Sequence, residues 1–395
     1  LMENNTNQIN VYLQQLGKTA FFKKQKPTPF DEAVSLVWFL ENVFYQATGR
    51  IINFFKQQFP GSLPENNPVI KMGFWPGGDR DGNPFVNVST TLQVAEALRG
   101  SIIKCYYLDV RRIKRRLTFE GVEQVLAGLE KKLYENIFIP GMRTDLSRKE
   151  ILETLYGIKE TLIYKHNSLF LHLVESLINK VLIFGLHFTS LDIRQDSSKH
   201  GSTLNRVALQ CDSLGVGYAA LPDDEKIQRL ADVKPLQRAL KLDDEVERDC
   251  IDVVKAIKTI QYKNGEEGCN RYIISQCNSA LNVMEVYGLF LLGGWKAEEL
   301  TVDIVPLFET IEDLQQAASI MKELYENKTY RQHIQRRKNN QTIMVGFSDG
   351  TKDGGYMMAN WSIYKAKEEL TALSRQYNID VVFFDGRGGP PARGG

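Results

Sequence analysis

The sequence is poor in the residues on which many kinds of site depend. Its five cysteines (Cys105, Cys211, Cys250, Cys269 and Cys277) show no Cys-x-x-Cys spacing. Their number and scatter fit reduced thiols, not a disulfide framework or a zinc ribbon. The five histidines contain no His-x-x-x-His pair. Charge of one sign is missing too: the net charge is +1, which gives no bulk electrostatic ground for binding nucleic acid or an anionic membrane. No apolar run is long and clean. The richest, Ser168 to Leu191, is broken by His172, Glu175, Asn179, Lys180 and His187, and reads as a buried helix followed by a strand, not a membrane span. The Asn- and Gln-rich start has no apolar signal segment, so a cytoplasmic protein is expected. No fixed-period repeat and no low-complexity tract is visible. Neither glycine-rich loop continues into Gly-Lys-Ser/Thr, which excludes a Walker phosphate loop. Calcium loops are excluded as well. The glycine of Asp79-Arg-Asp-Gly82 falls at the fourth position instead of the sixth, and Asn360 stands where a loop starting at Asp349 would need glutamate.

What is present is ordinary for a globular protein: 395 residues, 43% hydrophobic and 25% charged, enough for one large domain or two smaller ones. Residues 1–29 read as a polar lead and linker with a short helix. Asp31 is expected to cap a long amphipathic helix reaching Phe59. Six short apolar runs then alternate with helical stretches. They start at Val69, Ile183, Arg271, Val302, Thr342 and Val381. One or more helices separate each from the next, including one opened by the capping box Ser147-x-x-Glu150. This alternation predicts an α/β fold with a large helix excess, a parallel sheet and crossover helices. In such folds, ligands sit at the C-terminal ends of the strands.

Those ends carry the chemistry. Thr342 to Gly355 runs from an apolar strand into Phe-Ser-Asp-Gly-Thr-Lys-Asp-Gly-Gly, and Val381 to Gly395 runs into Asp-Gly-Arg-Gly-Gly-Pro-Pro-Ala-Arg-Gly-Gly. A helix is expected between them from about Met357 to Tyr377. Arg387 and Arg393 in a glycine-rich loop suit a phosphorylated anion, because guanidinium forks match phosphate and glycines admit backbone N–H groups. Glu309 taken alone is best explained as a carboxylate favoured by the following helix dipole. Taken with Asp349 at the end of the next strand, it suits one Mg²⁺ held by a few oxygen ligands. Within Asp192-Ile-Arg-Gln-Asp196, the plainer reading of Arg194 is an ion pair with Asp192 or Asp196.

Six ordered segments resemble the phosphoenolpyruvate carboxylase family. They are Lys26-Pro-Thr-Pro-Phe-Asp-Glu32, Trp75-Pro-Gly-Gly-Asp-Arg-Asp-Gly-Asn-Pro84, Leu191-Asp-Ile-Arg-Gln-Asp-Ser197 with His200, Pro306-Leu-Phe-Glu-Thr310, Gly346-Phe-Ser-Asp-Gly-Thr-Lys-Asp353 and Phe384-Asp-Gly-Arg-Gly-Gly389 with Arg393-Gly-Gly. The resemblance implies a decorated (β/α)8 TIM-type barrel. Residues 30–395 would form its incomplete central part, from the second to the seventh barrel strand. It also implies that the parent enzyme carboxylates phosphoenolpyruvate with bicarbonate, giving oxaloacetate and phosphate through carboxyphosphate and a metal-stabilised enolate. Glu309 and Asp349 would hold Mg²⁺ or Mn²⁺, and Arg194 and Arg387 would grip the phosphate. Arg393 would lie over the bicarbonate, with Trp75 as a wall and Lys352 as a further cation. A homotetrameric parent is implied as well. The chain departs from the family in three respects. The Thr-Ala-His-Pro-Thr-Glu motif is missing, Asp385 replaces a histidine, and Pro390-Pro391 replaces a Thr-Val pair. An internal segment that is inactive alone is therefore expected. The alternative is a non-catalytic paralogue that binds phospho-anions or assists assembly. An unrelated Mg²⁺-dependent barrel acting on phosphosugars is the third reading.

Overall fold

A computed structural model describes residues 2–19, 26–62, 69–139, 146–211, 213–215, 217–237 and 240–386. The chain opens with α1 (Met2–Lys18) and then α2 (Pro29–Phe39), a π-helical turn (Leu40–Phe44) and α3 (Tyr45–Gln58). The cap of α2 is Thr28, one turn earlier than the expected Asp31. The Thr28 hydroxyl accepts from Asp31 N–H at 3.2 Å, and the Asp31 carboxylate accepts Thr28 N–H at 3.0 Å. Asp31 is thus the third residue of a capping box, and Pro29 occupies the first turn where its missing N–H costs nothing.

After β1 (Gly73–Phe74) come α4 (Val88–Lys114), α5 (Glu123–Phe138), α6 (Arg148–Lys165) and α7 (Leu171–Phe184). Ser147 caps α6 by accepting Glu150 N–H at 3.1 Å. The apolar run expected as a strand at Ile183–Phe188 is not one. Ile183 and Phe184 complete α7, whose buried Val174, Leu177, Ile178 and Val181 follow helical spacing. Gly185, at φ 51°, then ends the helix. The strand starts later, as β2 (Ser190–Leu191) and β3 (Ile193–Asp196) on either side of Asp192. A continuous apolar run does not by itself separate a buried helix from a buried strand.

The rest alternates as expected: α8 (Ser197–Ala208), α9 (Asp223–Ala231), α10 (Glu245–Asn264), β4 (Arg271–Ser275), α11 (Ala280–Leu292), β5 (Asp303–Phe308), α12 (Ile311–Glu326), α13 (Lys328–Arg336), β6 (Asn340–Gly346), α14 (Ser348–Gln376) and β7 (Asp380–Gly386). All strand pairs are parallel and follow chain order: β1 with β2, then β3-β4-β5-β6-β7. A parallel bridge between Asp79 and Arg194 carries the β1 side past the break at Asp192. The protein is therefore a helix-rich α/β fold built on parallel sheet. Among the described residues, no helix is long and apolar enough to cross a membrane.

Side-chain alternation sorts the strands into two faces. Tyr272, Ile274, Ile304, Phe308, Ile343 and Val345 point into the large core shared with the helices. Ile273, Val305, Leu307 and Met344 form a second cluster on the other face, joined by Trp75 and Phe384. Register places Arg194 beside Ile273, Ile273 beside Val305 and Arg271 beside Asp303. The second face thus has a charged row, Arg271 and Asp303, at the N-terminal strand ends and an apolar band beyond it, where Arg194 lies level with Ile273 and Val305.

Candidate functional site at the C-terminal strand ends

Glu309 follows the last residue of β5, and its position is fixed from three sides. Its Oε2 accepts the backbone N–H of Gln276 at 2.9 Å. Gln276 itself has φ 52°, a left-handed conformation costly for a residue with a Cβ, and its carbonyl accepts the Ser197 hydroxyl at 2.8 Å. The second side is β6: a Cβ on Gly346 would come within 3.1 Å of Glu309 Cα. The third is the first turn of α14, where a Cβ on Gly350 would lie 3.3 Å from the Glu309 carbonyl oxygen. Burial raises the Glu309 pKa. The Gln276 N–H and Arg194 oppose the rise, while the Asp349 and Asp81 charges add to it.

Asp349 is brought to the same place, in a form the sequence did not suggest. The segment expected as a glycine-rich loop is the helical start of α14, and Gly355 at φ 81° separates it from the remainder of the helix. Glycines disfavour a helix, but the local contacts and the packing on Glu309 outweigh that preference. Thr351 donates to the Phe347 carbonyl at 2.8 Å, and Asp353 accepts Ile311 N–H at 3.2 Å, tying the turn to the start of α12. The Asp349 carboxylate is half exposed and pairs with Lys352 Nζ at 2.7 Å. Lys352 is therefore at the site edge, engaged with Asp349.

Arg194 projects from β3 on the same face. Its partners are neither Asp192 nor Asp196, the two expected from sequence, but Asp79 at 3.3 Å and Asp81 at 2.5 Å in the Trp75–Pro84 loop. Asp196 instead caps α8 by accepting Ser198 N–H at 2.7 Å. Burial works against the Arg194 charge, yet Asp79, Asp81 and Glu309 together hold its pKa above the usual value. Burial raises Asp79 despite the guanidinium beside it. The Arg194 guanidinium carbon lies 5.2 Å from the Trp75 ring centroid, so Trp75 lines the site as a wall. The remaining arginine of that loop is structural: Arg80 is buried and holds Asp249 at 2.5 Å, the Gly78 carbonyl and the Thr91 hydroxyl.

The structure thus brings together Arg194, Trp75, Glu309, Asp349 and Lys352. Arg387 and Arg393 lie outside the described residues. Asp385, expected beside Arg387, ion-pairs with Lys367 at 2.5 Å, toward α14. Asp79, Asp81 and the Gln276 N–H were not picked out beforehand. The double acid of Gly78-Asp-Arg-Asp81 was a visible signal for the first two, whereas a backbone donor leaves none in sequence.

The donor set fits a divalent cation. Two carboxylates offer hard oxygen ligands; burial chiefly raises the Glu309 pKa and the Asp349 charge adds to it, a repulsion that a cation would relieve. No group of three or more acidic, histidine or cysteine side chains is arranged to hold a metal among the described residues. Water and substrate oxygens would have to complete the shell, as is usual for Mg²⁺. The three buried histidines are held neutral by burial. His200 is buried with its Nε2 2.9 Å from the Tyr272 hydroxyl, and burial pushes its pKa down to about 3. Burial likewise lowers His187 to about 4 and His333 to about 3.

Fold and site together define an α/β protein with an arginine, an acid pair and an aromatic wall at the C-terminal ends of parallel strands. The phosphoenolpyruvate carboxylase family model matches residues 2–144 and 140–395. The chain belongs to the phosphoenolpyruvate carboxylase family. It is 29% identical to the phosphoenolpyruvate carboxylase of Psychromonas ingrahamii, over 98% of this chain and 47% of that protein. To the Shewanella halifaxensis enzyme it is 30% identical, over 97% of this chain and 46% of the relative. For the Synechococcus enzyme the identity is 27%, over 100% and 43%. The chain spans about half the length of the curated relatives it matches.

Proposed function

We propose that this chain is the strand-end half of a phosphoenolpyruvate carboxylase site. The parent protein would join phosphoenolpyruvate to bicarbonate, giving oxaloacetate and phosphate. The observation that carries this reading is that Arg194 on β3 and Asp349 after β6 both lie close enough to act on Glu309 after β5, with Trp75 beside Arg194.

Arg194 binds the phosphoryl group. Its guanidinium is part-buried and already oriented by Asp79 and Asp81, so little side-chain freedom is lost on binding. Glu309 and Asp349 would hold Mg²⁺ or Mn²⁺, which when bound supplies positive charge for phosphoryl and enolate oxygens. In the reaction a bicarbonate oxygen attacks phosphorus and the bond from phosphorus to the enol oxygen breaks, giving carboxyphosphate and the enolate. Loss of phosphate then frees carbon dioxide, which the enolate carbon attacks. Arg194 offsets phosphoryl charge through this sequence. Trp75 and the apolar band beneath it exclude water from one side, protecting the carboxyphosphate. Arg387 and Arg393 are proposed as the second phosphate contact and the bicarbonate contact, with Lys352 as a further cation.

In this reading the parallel strands are the second to seventh of a decorated (β/α)8 barrel, and residues 1–29 are a lead to it. The parent is a cytoplasmic homotetramer. The isolated chain is inactive, since none of its histidines stands in a Thr-Ala-His-Pro context. The alternative, a non-catalytic paralogue that binds phospho-anions or assists assembly, rests on Asp385 and on the missing Thr-Ala-His-Pro histidine; Asp385 pairs with Lys367 at 2.5 Å.

The test compares oxaloacetate formation by the full-length protein, its Arg387→Ala variant and residues 1–395 alone. Turnover only in the unmodified full-length protein is expected. A full-length variant near the unmodified rate would refute the site assignment, and robust turnover by residues 1–395 would refute the claim of inactivity.

A further inference from the structure

Asp192 is only 1% exposed, yet it sits in a break in a strand, between β2 and β3. Its two oxygens face different ways. Oδ1 accepts Arg271 Nε at 2.7 Å. Oδ2 accepts the indole N–H of Trp75 at 3.1 Å. An ion pair serving stability alone needs only the first of these. The second fixes an aromatic ring that is otherwise held edge-on: Trp75 meets Phe384 at 6.2 Å with the planes at 71°. Arg271 is steadied in turn, with its guanidinium carbon 5.8 Å from the Phe384 ring centroid.

The loop carrying Trp75 is laid directly across Asp192. A Cβ at Gly78 would fall 2.0 Å from the Asp192 carbonyl oxygen, so only glycine permits this approach. Asp192 N–H donates to the Phe74 carbonyl at 3.0 Å, and Arg194 N–H to the Gly78 carbonyl at 3.1 Å. The backbone therefore sets where the loop lies, while the indole plane is held by the Asp192 hydrogen bond together with the edge-on contact to Phe384. That plane matters because Arg194 rests against it, 5.2 Å from the ring centroid. A guanidinium over an aromatic face is held by that face as well as by its acid partners, here Asp79 and Asp81.

We propose that Asp192 is a positioning residue that sets the plane of the Trp75 indole and, through it, the aim of Arg194 at the bound anion. The proposal rests on the reading of Arg194 as a phosphate-binding group. It assigns a role in anion affinity to a carboxylate that touches no substrate and is separated from the anion by Trp75 and Arg194.

The test is a double-mutant cycle in the full-length protein, with phosphoenolpyruvate and Mg²⁺ as titrants and calorimetry as readout. Asp192→Asn keeps the volume and removes the anionic acceptor. Trp75→Phe removes the indole donor and leaves a ring. Each single variant should weaken phosphoenolpyruvate binding about tenfold, the usual scale for groups that orient a ligand-binding side chain. The double variant should be no weaker than either single one. Two independent losses that multiply would overturn the proposal, as would an Asp192→Asn variant that binds normally. A second readout does not need the anion. Acrylamide quenching attributable to Trp75, taken as the difference from Trp75→Phe, should rise in Asp192→Asn, and unchanged quenching would also overturn the proposal. If the unmodified protein binds no phosphoenolpyruvate, the carboxylase reading fails, and quenching still decides the role of Asp192. If Asp192→Asn does not fold, Trp75→Phe decides: normal affinity in that variant overturns the proposal.

Discussion

The two ends of the parallel strands use the same residue types in opposite ways. At the N-terminal ends, two arginines each hold acid partners. Arg337 holds Asp303 at 2.5 Å and Glu266 at 2.7 Å, and Arg271 holds Asp192 at 2.7 Å. At the C-terminal ends, among the described residues, the charges are crowded, with four acids (Asp79, Asp81, Glu309 and Asp349) to two cations (Arg194 and Lys352). Glu309 lies near enough to Asp349 and Asp81 for both to raise its pKa, and one guanidinium, Arg194, is shared among Asp79, Asp81 and Glu309. Paired charge stabilises a fold. Crowded like charge is tolerated where a ligand completes the set.

The sharpest way to break this comparison is to remove one arginine from each end. In the full-length protein, Arg194→Ala should lower kcat/KM for phosphoenolpyruvate about a thousandfold, in line with the loss of a charge-stabilising group from a transition state. Its thermal midpoint should fall as well, because Asp79 and Asp81 lose their partner. Glu309→Gln should weaken Mn²⁺ binding by roughly a hundredfold, measured by electron paramagnetic resonance, since loss of a ligand costs at least as much as loss of a group that orients one.

A raised carboxylate alone does not mark a site, and Glu285 tests that. It is buried on α11, away from the strand ends, and burial lifts its pKa to about 7. Its folded pKa lies above the unfolded value. Its contribution is therefore favourable at low pH and is lost as pH rises from about 4.5 through about 7. Glu285→Gln should flatten this decline and stabilise the protein at pH 8 by up to about 3 kcal/mol, read by urea unfolding across pH, without changing anion affinity.

At the N-terminal end, Arg337→Ala should cost about 2 kcal/mol of stability, because it strips charged hydrogen bonds from Asp303 and Glu266. Turnover per folded molecule should stay within about twofold, as a support of the fold and not of the site. The smallest effect is expected at Asp385. Its bond to Lys367 is partly exposed, so Asp385→Ala should change stability by less than about 1 kcal/mol.

Sequence made much of this legible, for physical reasons. The strands at Arg271, Asp303, Asn340 and Asp380 are short apolar runs that end at polar residues or glycine, and their starts are legible within two residues. The run at Ile183 misled because a fully buried helix and a buried strand look alike over six residues. The Gly-rich start of α14 misled because its helix is imposed by packing on Glu309, against local preference. Glu309, Asp349 and Trp75 were legible from their strand-end position or their resemblance to the family. The partners of Arg194 were not, because Asp79 and Asp81 stand more than 110 positions away and only pairing of the strands brings them near. Gln276 was invisible, since its contribution is a backbone N–H.

The most direct test of the contrast between the two ends is an anomalous difference map of the full-length protein crystallised with Mn²⁺ and phosphoenolpyruvate. The expected map has one strong peak between the Glu309 and Asp349 carboxylates, with the phosphate density against Arg194. A map with metal and phosphate at the Arg337 end, or with Glu309 and Asp349 bare while the ligand sits elsewhere, would contradict the account.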